Sequence, residues 1–259
     1  MEFKGFLGNE SIKNLLNQAF AEGHFPHAIL LEGQKGTGKR TFAKLLAKAL
    51  VCEGTSSVPC DKCPACIRAN AGSHPDIRID EGSGATRSLS VDTIKAVSED
   101  AYRMPEEASV NVYILSASGR FPEISQNKLL KLIEEPPPSS IFIITCENSG
   151  QLLPTILSRV QTYKLDAPRP EVSAEYISEK KGISYEAAMD ISRIYQGNIG
   201  KILEKIDDKD AGVMQETVAD IVNALLSTDD HRILSVTAPF IKDRLLFRDI
   251  LLKLMYLFR

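Results

Sequence analysis

Apolar positions along this chain switch repeatedly between two periods. Ile12, Leu15, Leu16, Ala19 and Phe20 recur at helical spacing over residues 10–22. The unbroken apolar run from Ala28 to Leu31 reads as a strand, and it ends in glycines. Helical spacing returns over Lys39 to Val51 through Phe42, Leu45, Leu46, Ala49 and Leu50. Further on, Asp76 to Asp80 alternates like a strand. Ser90 offers a side-chain oxygen to cap a helix that carries Val91, Ile94, Val97 and Ala101. Three β-rich runs follow, Val110 to Leu115, Ser140 to Cys146 and Val160 to Leu165. Between the first two lies a helix over Gln126 to Glu135, stopped by Pro136, Pro137 and Pro138 because proline lacks the amide that a helix needs. Strands alternating with helices imply a mostly parallel sheet covered on both faces.

Past Ala167, Pro168, Arg169 and Pro170 the strand signal ends. Residues 171–206 fit three short helices, Glu171 to Lys181, Ser184 to Gln196 and Gly200 to Ile206. The charged break DDKD at 207–210 precedes longer apolar helices running to Arg259. The expected organisation is an α/β domain over 1–166 with an insertion at 52–66, a small helical domain over 167–207, and a helical segment over 208–259. The end, LLFRDILLKLMYLFR, is apolar on nearly all sides of a helix and expects burial.

Composition narrows the function. Of 259 residues, 43% are hydrophobic and 25% charged, ordinary for a globular protein, and a net charge of -3 argues against an autonomous duplex binder. No run of 18 apolar residues and no signal-like start is present, so a cytoplasmic protein with no membrane contact is expected.

Two clusters carry chemistry. Gly33, Gln34, Lys35, Gly36, Thr37, Gly38 and Lys39 form a phosphate-binding loop up to its lysine. Glycines let backbone N–H groups close around a phosphate, and the lysine neutralises it. The next residue should be a Ser or Thr that ligates magnesium, but it is Arg40, and Thr41 falls on another helix face. The strand VYIL ends in Ser116, Ala117 and Ser118, where a P-loop hydrolase places the carboxylates that hold magnesium and orient water. Neither side chain polarises water at neutral pH, so hydrolysis is not expected, and the loop is weak ground for ATP or ADP as a bound cofactor. The second cluster is Cys52, Cys60, Cys63 and Cys66, separated by seven, two and two residues. That spacing suits a closed tetrahedral zinc site, structural rather than catalytic. Cys146 stands apart.

With those motifs in order, the chain resembles the delta-prime subunits of bacterial DNA polymerase III clamp loaders, within the AAA+ family. The residues that carry the resemblance are His27 to Leu31 leading into GQKGTGK, the cysteine cluster, SHPD at 73–76, QNKLLKLIEEPPP at 126–138 and LLPTILSRV at 152–160, all within residues 1–165. The resemblance implies an AAA+ sheet, a helical lid at 167–207 and the start of a helical collar at 208–259. It implies an ATPase-deficient subunit of the polymerase III holoenzyme. Partners would be the loader's ATPase subunits and its delta-like subunit in a hetero-oligomer, with the sliding clamp and primer-template DNA reached through the assembly. Arg159, in the family's Ser-Arg-Cys motif with Val160 in place of the cysteine, would act in trans as an arginine finger on ATP held by a neighbour. Thr145 fits the family's first sensor position, and no arginine occupies the second sensor position in Gly197, Asn198, Ile199, Gly200 and Lys201. His27 and His74 receive no chemical role. An active AAA+ ATPase and a zinc-stabilised DNA-binding module are the alternatives.

Overall fold

The computed structural model describes residues 1–55, 57–82, 88–117, 119, 121–207, 220–225, 230–238, 247, 250, 251 and 254. Ser118 and most of the expected 208–259 segment lie outside the described residues. The chain divides into two compact units, Met1–Asp166 and Ala167–Arg259.

In the first unit, α1 (Glu10–Ala21) leads to β1 (Ala28–Glu32), α2 (Lys39–Leu50), α3 (Pro64–Ala71), β2 (Ile77–Asp80), α4 (Val91–Ala101), β3 (Asn111–Ala117), α5 (Glu123–Glu134), β4 (Ser140–Cys146), α6 (Pro154–Leu157) and β5 (Gln161–Lys164). The five strands form one sheet in the order β2-β3-β4-β1-β5, and every pairing is parallel. Because successive strand residues point to opposite faces, β1 feeds two cores at once. Leu30 joins Tyr113, Leu115, Phe142 and Ile144 beneath Ile94, Val97, Leu129 and Leu132 of α4 and α5. Ile29 and Leu31 join Val112, Ile114, Ile141 and Ile143 beneath Leu16 of α1 and Phe42 and Leu46 of α2. Each such aliphatic side chain, taken fully out of water, contributes about 1.5–3 kcal/mol. Burial on both faces explains why β3 and β4 read as continuous apolar runs rather than alternating ones.

Helix boundaries differ from the sequence expectation where the apolar period is silent. Helix α5 begins at Glu123 rather than Gln126, since its first turn carries Ile124 on the solvent side and adds no buried position before Ser125. It ends at Glu134, with Glu135 already at φ -126° and ψ 69° ahead of the three prolines, the extended bias that a following proline imposes. Ser90 does cap α4, accepting from the Thr93 amide at 3.1 Å.

The second unit contains α7 (Pro170–Lys181), α8 (Tyr185–Ile194), α9 (Ile199–Ile206) and a further helix, Asp230–Thr237. Ala174, Ile177, Ala188 and Ile202 form a buried apolar cluster among these helices. Ser184 and Asn198 cap α8 and α9 by accepting from the amides of Ala187 and Lys201. At the α8–α9 turn Gly197, φ 73°, brings its Cα against the Pro168 carbonyl so closely that a Cβ would sit 1.9 Å from that oxygen. Only glycine fits there.

A candidate nucleotide-loop, cysteine and arginine constellation

All five strands run the same way, so the sheet has one end where strands finish and another where they begin. The glycine loop leaves the finishing end of β1 and caps α2. Gly36 and Gly38 take φ of 89° and 85°, and a Cβ on Gly33 would lie 2.5 Å from the Leu165 carbonyl oxygen just beyond β5. These are the positions at which the turn requires glycine. Lys39 is largely buried and folds back on the loop, its Nζ donating to the carbonyls of Gly33 at 2.6 Å and Gln34 at 2.8 Å. Burial lowers its pKa, a trend opposed by the nearby Glu147 carboxylate. Thr37 donates to the Gln34 carbonyl at 2.9 Å.

Arg40, where a magnesium-binding hydroxyl would stand, forms an ion pair with Glu81, just past β2. At the finishing end of β3, Ser116 and Ala117 pair in register with Thr145 and Cys146 of β4, and Thr145 Oγ1 donates to Ser116 Oγ at 3.4 Å. Hydroxyls and methyls therefore occupy the described end of β3. Cys146 is buried, and burial pushes its thiol up to about 11, so at neutral pH it is uncharged.

The four clustered cysteines converge where α2 hands over to α3. Their Sγ atoms all lie within 4.8 Å of one another. Backbone amides aim at the sulfurs: those of Gly54 and Cys60 at Cys52 Sγ, both 3.3 Å, that of Cys63 at Cys60 Sγ, 3.3 Å, and that of Cys66 at Cys63 Sγ, 3.4 Å. N–H donors stabilise thiolates, the form in which cysteine binds metal. The amides of Lys62 and Cys63 hold the Cys60 thiol down at about 6, while burial pushes Cys66 up to about 12. A Cβ at residue 54 would press to 2.8 Å from the Cys60 Cβ, so Gly54 keeps the cradle open. Four sulfurs about 2.3 Å from one metal sit about 3.8 Å apart, close to the 4.0 Å between Cys60 and Cys66, so the donor set fits a closed four-coordinate ion.

Arg159 lies at the other end of the sheet. It sits in the turn before β5, whereas the glycine loop adjoins Leu165 beyond that strand, and the four residues of β5 between them span about 13 Å. β5 is also an edge strand. The Arg159 side chain is 41% exposed. Its Nε lies 2.9 Å from Glu134 Oε1, and its Nη1 donates to the Thr155 carbonyl and to Ser158 Oγ, each at 3.1 Å.

Several partners escaped the sequence reading. Glu134 and Glu81 are carboxylates in unremarkable local sequence, and only the fold brings them to Arg159 and Arg40. SHPD had an architectural meaning that its charge hinted at. Asp76, buried, accepts from the amides of Glu106, Glu107 and Ala108 at 2.7, 2.9 and 2.7 Å, and His74 Nδ1 accepts from the Asp76 amide at 3.1 Å. His27 Nε2 lies 3.2 Å from the Ile133 carbonyl oxygen, a contact between β1's approach and α5.

With this geometry in view, likeness to known proteins is informative. A family described as "DNA polymerase III, delta subunit" matches residues 8–169. The chain is 27% identical over 206 residues to Haemophilus influenzae DNA polymerase III subunit delta', covering 79% of this chain and 62% of that one. To the Bacillus subtilis subunit delta' it is 32% identical over 169 residues, 65% of this chain and 51% of that one. It therefore spans about half to two thirds of the length of these relatives. It is also 30% identical over 247 residues to Escherichia coli subunit tau, 93% of this chain and 38% of the relative. Among solved structures, Thermotoga maritima RuvB, a Holliday junction branch migration motor, superposes with a TM-score of 0.50 at 17% identity, covering 92% of this chain and 72% of that one. The fold is thus of the AAA+ type. No helix among the described residues is long and apolar enough to cross a membrane.

Proposed function

The chain belongs to the DNA polymerase III delta-subunit family, and from that premise we propose that it works in DNA replication as a delta-prime-like clamp-loader subunit that hydrolyses no nucleotide itself and lends Arg159 to a neighbouring ATPase subunit. The observation that carries this reading is the position of Arg159. At the strand-starting end of an edge strand, partly exposed, it is set apart from its own chain's glycine loop by the length of β5, about 13 Å, and is open to a neighbour's. A planar, permanently charged fork suits the charge that develops on a transferring phosphoryl group.

The glycine loop of this chain supports the other half. Gly33, Gly36, Thr37, Gly38 and Lys39 retain a phosphate cradle, but Arg40, Ser116 and Ala117 replace the groups that bind magnesium and orient water. The four cysteines would hold a structural zinc ion that ties the end of α2 to α3, with no vacant coordination position for chemistry. Residues 1–166 would form the AAA+ domain, 167–207 its lid and 208–259 the start of a collar. The partners would be ATPase subunits of the gamma or tau kind and a delta-like subunit, with clamp and primer-template DNA engaged through the assembly, all in the cytoplasm.

The likeness to tau over 93% of the chain favours a second reading, an active ATPase of the same family. Serine and alanine at the end of β3 weigh against it. Mixing the chain with its cognate gamma or tau and delta subunits decides the assignment: a delta-prime-like subunit enters a hetero-oligomer and raises DNA- and clamp-stimulated ATP turnover that it lacks alone. A chain that stays apart from those subunits, or turns over ATP unaided, is something else.

A further inference from the structure

The contacts of Arg159 engage two of its three guanidinium nitrogens. Nε faces Glu134 Oε1 at 2.9 Å, and Nη1 donates to the Thr155 carbonyl and Ser158 Oγ, both at 3.1 Å. None of these contacts among the described residues uses Nη2, which is left for an external anion. Glu134 is the last residue of α5, with Glu135 beyond it, at the end where the helix dipole disfavours a carboxylate. A charge set against its own helix but matched to a guanidinium from another element is the kind of local conflict that a functional site sustains.

We propose that Glu134 is a positioning residue for the trans-acting arginine: with the Thr155 carbonyl it fixes the guanidinium plane so that Nη2 points outward, ordered before the neighbour's phosphoryl group arrives. An exposed arginine otherwise samples many rotamers, and ordering it in advance removes that entropic cost from the transition state. The contact is retained while the finger works, since Nε and Nη1 are the atoms held and Nη2 the one offered. This inference rests on the arginine-finger reading above.

The test uses the assembled loader, with wild-type chain, Glu134→Ala, Glu134→Gln, Arg159→Ala and the double variant, each first checked for assembly and for thermal unfolding of the chain. Glu134→Ala should lower kcat of clamp- and DNA-stimulated ATP hydrolysis by about three- to tenfold with KM for ATP unchanged, the pattern of a transition-state interaction. Glu134→Gln, which keeps an amide oxygen at the same place beside Nε, should recover most of that loss. In the Arg159→Ala background, Glu134→Ala should add nothing, because the two residues act as one unit. A merely structural Glu134 would instead give additive losses and a lowered unfolding temperature, which overturns the inference. So would a faster rate in Glu134→Ala, the mark of a restraint, or an unchanged rate beside a strongly impaired Arg159→Ala. An unimpaired Arg159→Ala removes the finger reading itself, and the inference with it.

Discussion

Lys48, on the last turn of α2, places its Nζ 2.5 Å from Oδ1 of Asp61, the residue between Cys60 and the Cys63 turn, and 3.0 Å from Oδ1 of Asn70 on α3. The helix that begins at the glycine loop is thereby fastened at its far end to the cysteine module. The ammonium holds the Asp61 carboxyl below its ordinary value, chiefly through that hydrogen bond. Asp61 adopts φ 59°, a conformation that asparagine and aspartate tolerate better than other non-glycine residues.

Replacing this lysine tests the link. Lys48→Met keeps most of the aliphatic stem but leaves two acceptors without their donor. Because Asp61 is partly exposed, the loss should be modest, about 1–2 kcal/mol by denaturant unfolding. Metal should also pass to a chelator faster than from the wild type, whereas a purely local surface pair would leave that rate alone.

The metal content itself is predicted. Protein prepared without chelator should carry about one zinc ion per chain, and Cys66→Ser, which removes the most buried donor, should lower both zinc content and thermal stability. Well-folded protein with clearly substoichiometric zinc would leave the sulfurs as free thiols.

Acid stability should depend on Asp76. Burial alone would raise its pKa, but the amides of Ala108, Glu106 and Glu107 outweigh it, and the net shift is downward from 3.8. A carboxyl whose folded value is depressed stabilises the fold fully above its unfolded value and ceases to do so as pH falls through the folded one. Asp76→Asn should therefore cost stability at pH 7, about 1–3 kcal/mol for a buried carboxylate shared by three donors. The gap between variant and wild type should close as the pH is taken well below 3.8. A gap that stays constant with pH would assign the effect to packing.

The isolated chain should turn over no ATP in the presence of magnesium, and Lys39→Ala should leave that baseline where it is, because Ser116 and Ala117 supply no group to activate water. Turnover abolished by Lys39→Ala would mean that Glu81, Glu147 or another carboxylate has taken up the missing task.

Much of the first unit was legible in the sequence, and for a definite reason. Strand β1, the glycines and the periodic face of α2 follow one another within 23 residues, 28 to 50, so local period alone announces this βα unit, while the AAA+ type came from the resemblance that the order of motifs carries. The cysteines likewise lie within residues 52–66, where a loop needs no long-range information to gather them. Pairings set by tertiary geometry were illegible. Arg40 and Glu81 come from elements separated by the whole cysteine module, and Glu134 meets Arg159 only because α5 and the turn before β5 finish at the same end of the sheet. Lone acids and arginines on exposed turns carry no period. Even the start of α5 was blurred, since Ile124 faces solvent and breaks the pattern that marks a buried face.

The most direct test is the ATPase rate of a loader assembled with Arg159→Ala in this chain, every other subunit unchanged. Normal folding and normal assembly are expected, with hydrolysis at the site facing this subunit reduced by about tenfold or more, as loss of a trans arginine from a phosphoryl-transfer site requires. An intact assembly that hydrolyses ATP at the wild-type rate, clamp and DNA present, would contradict the account.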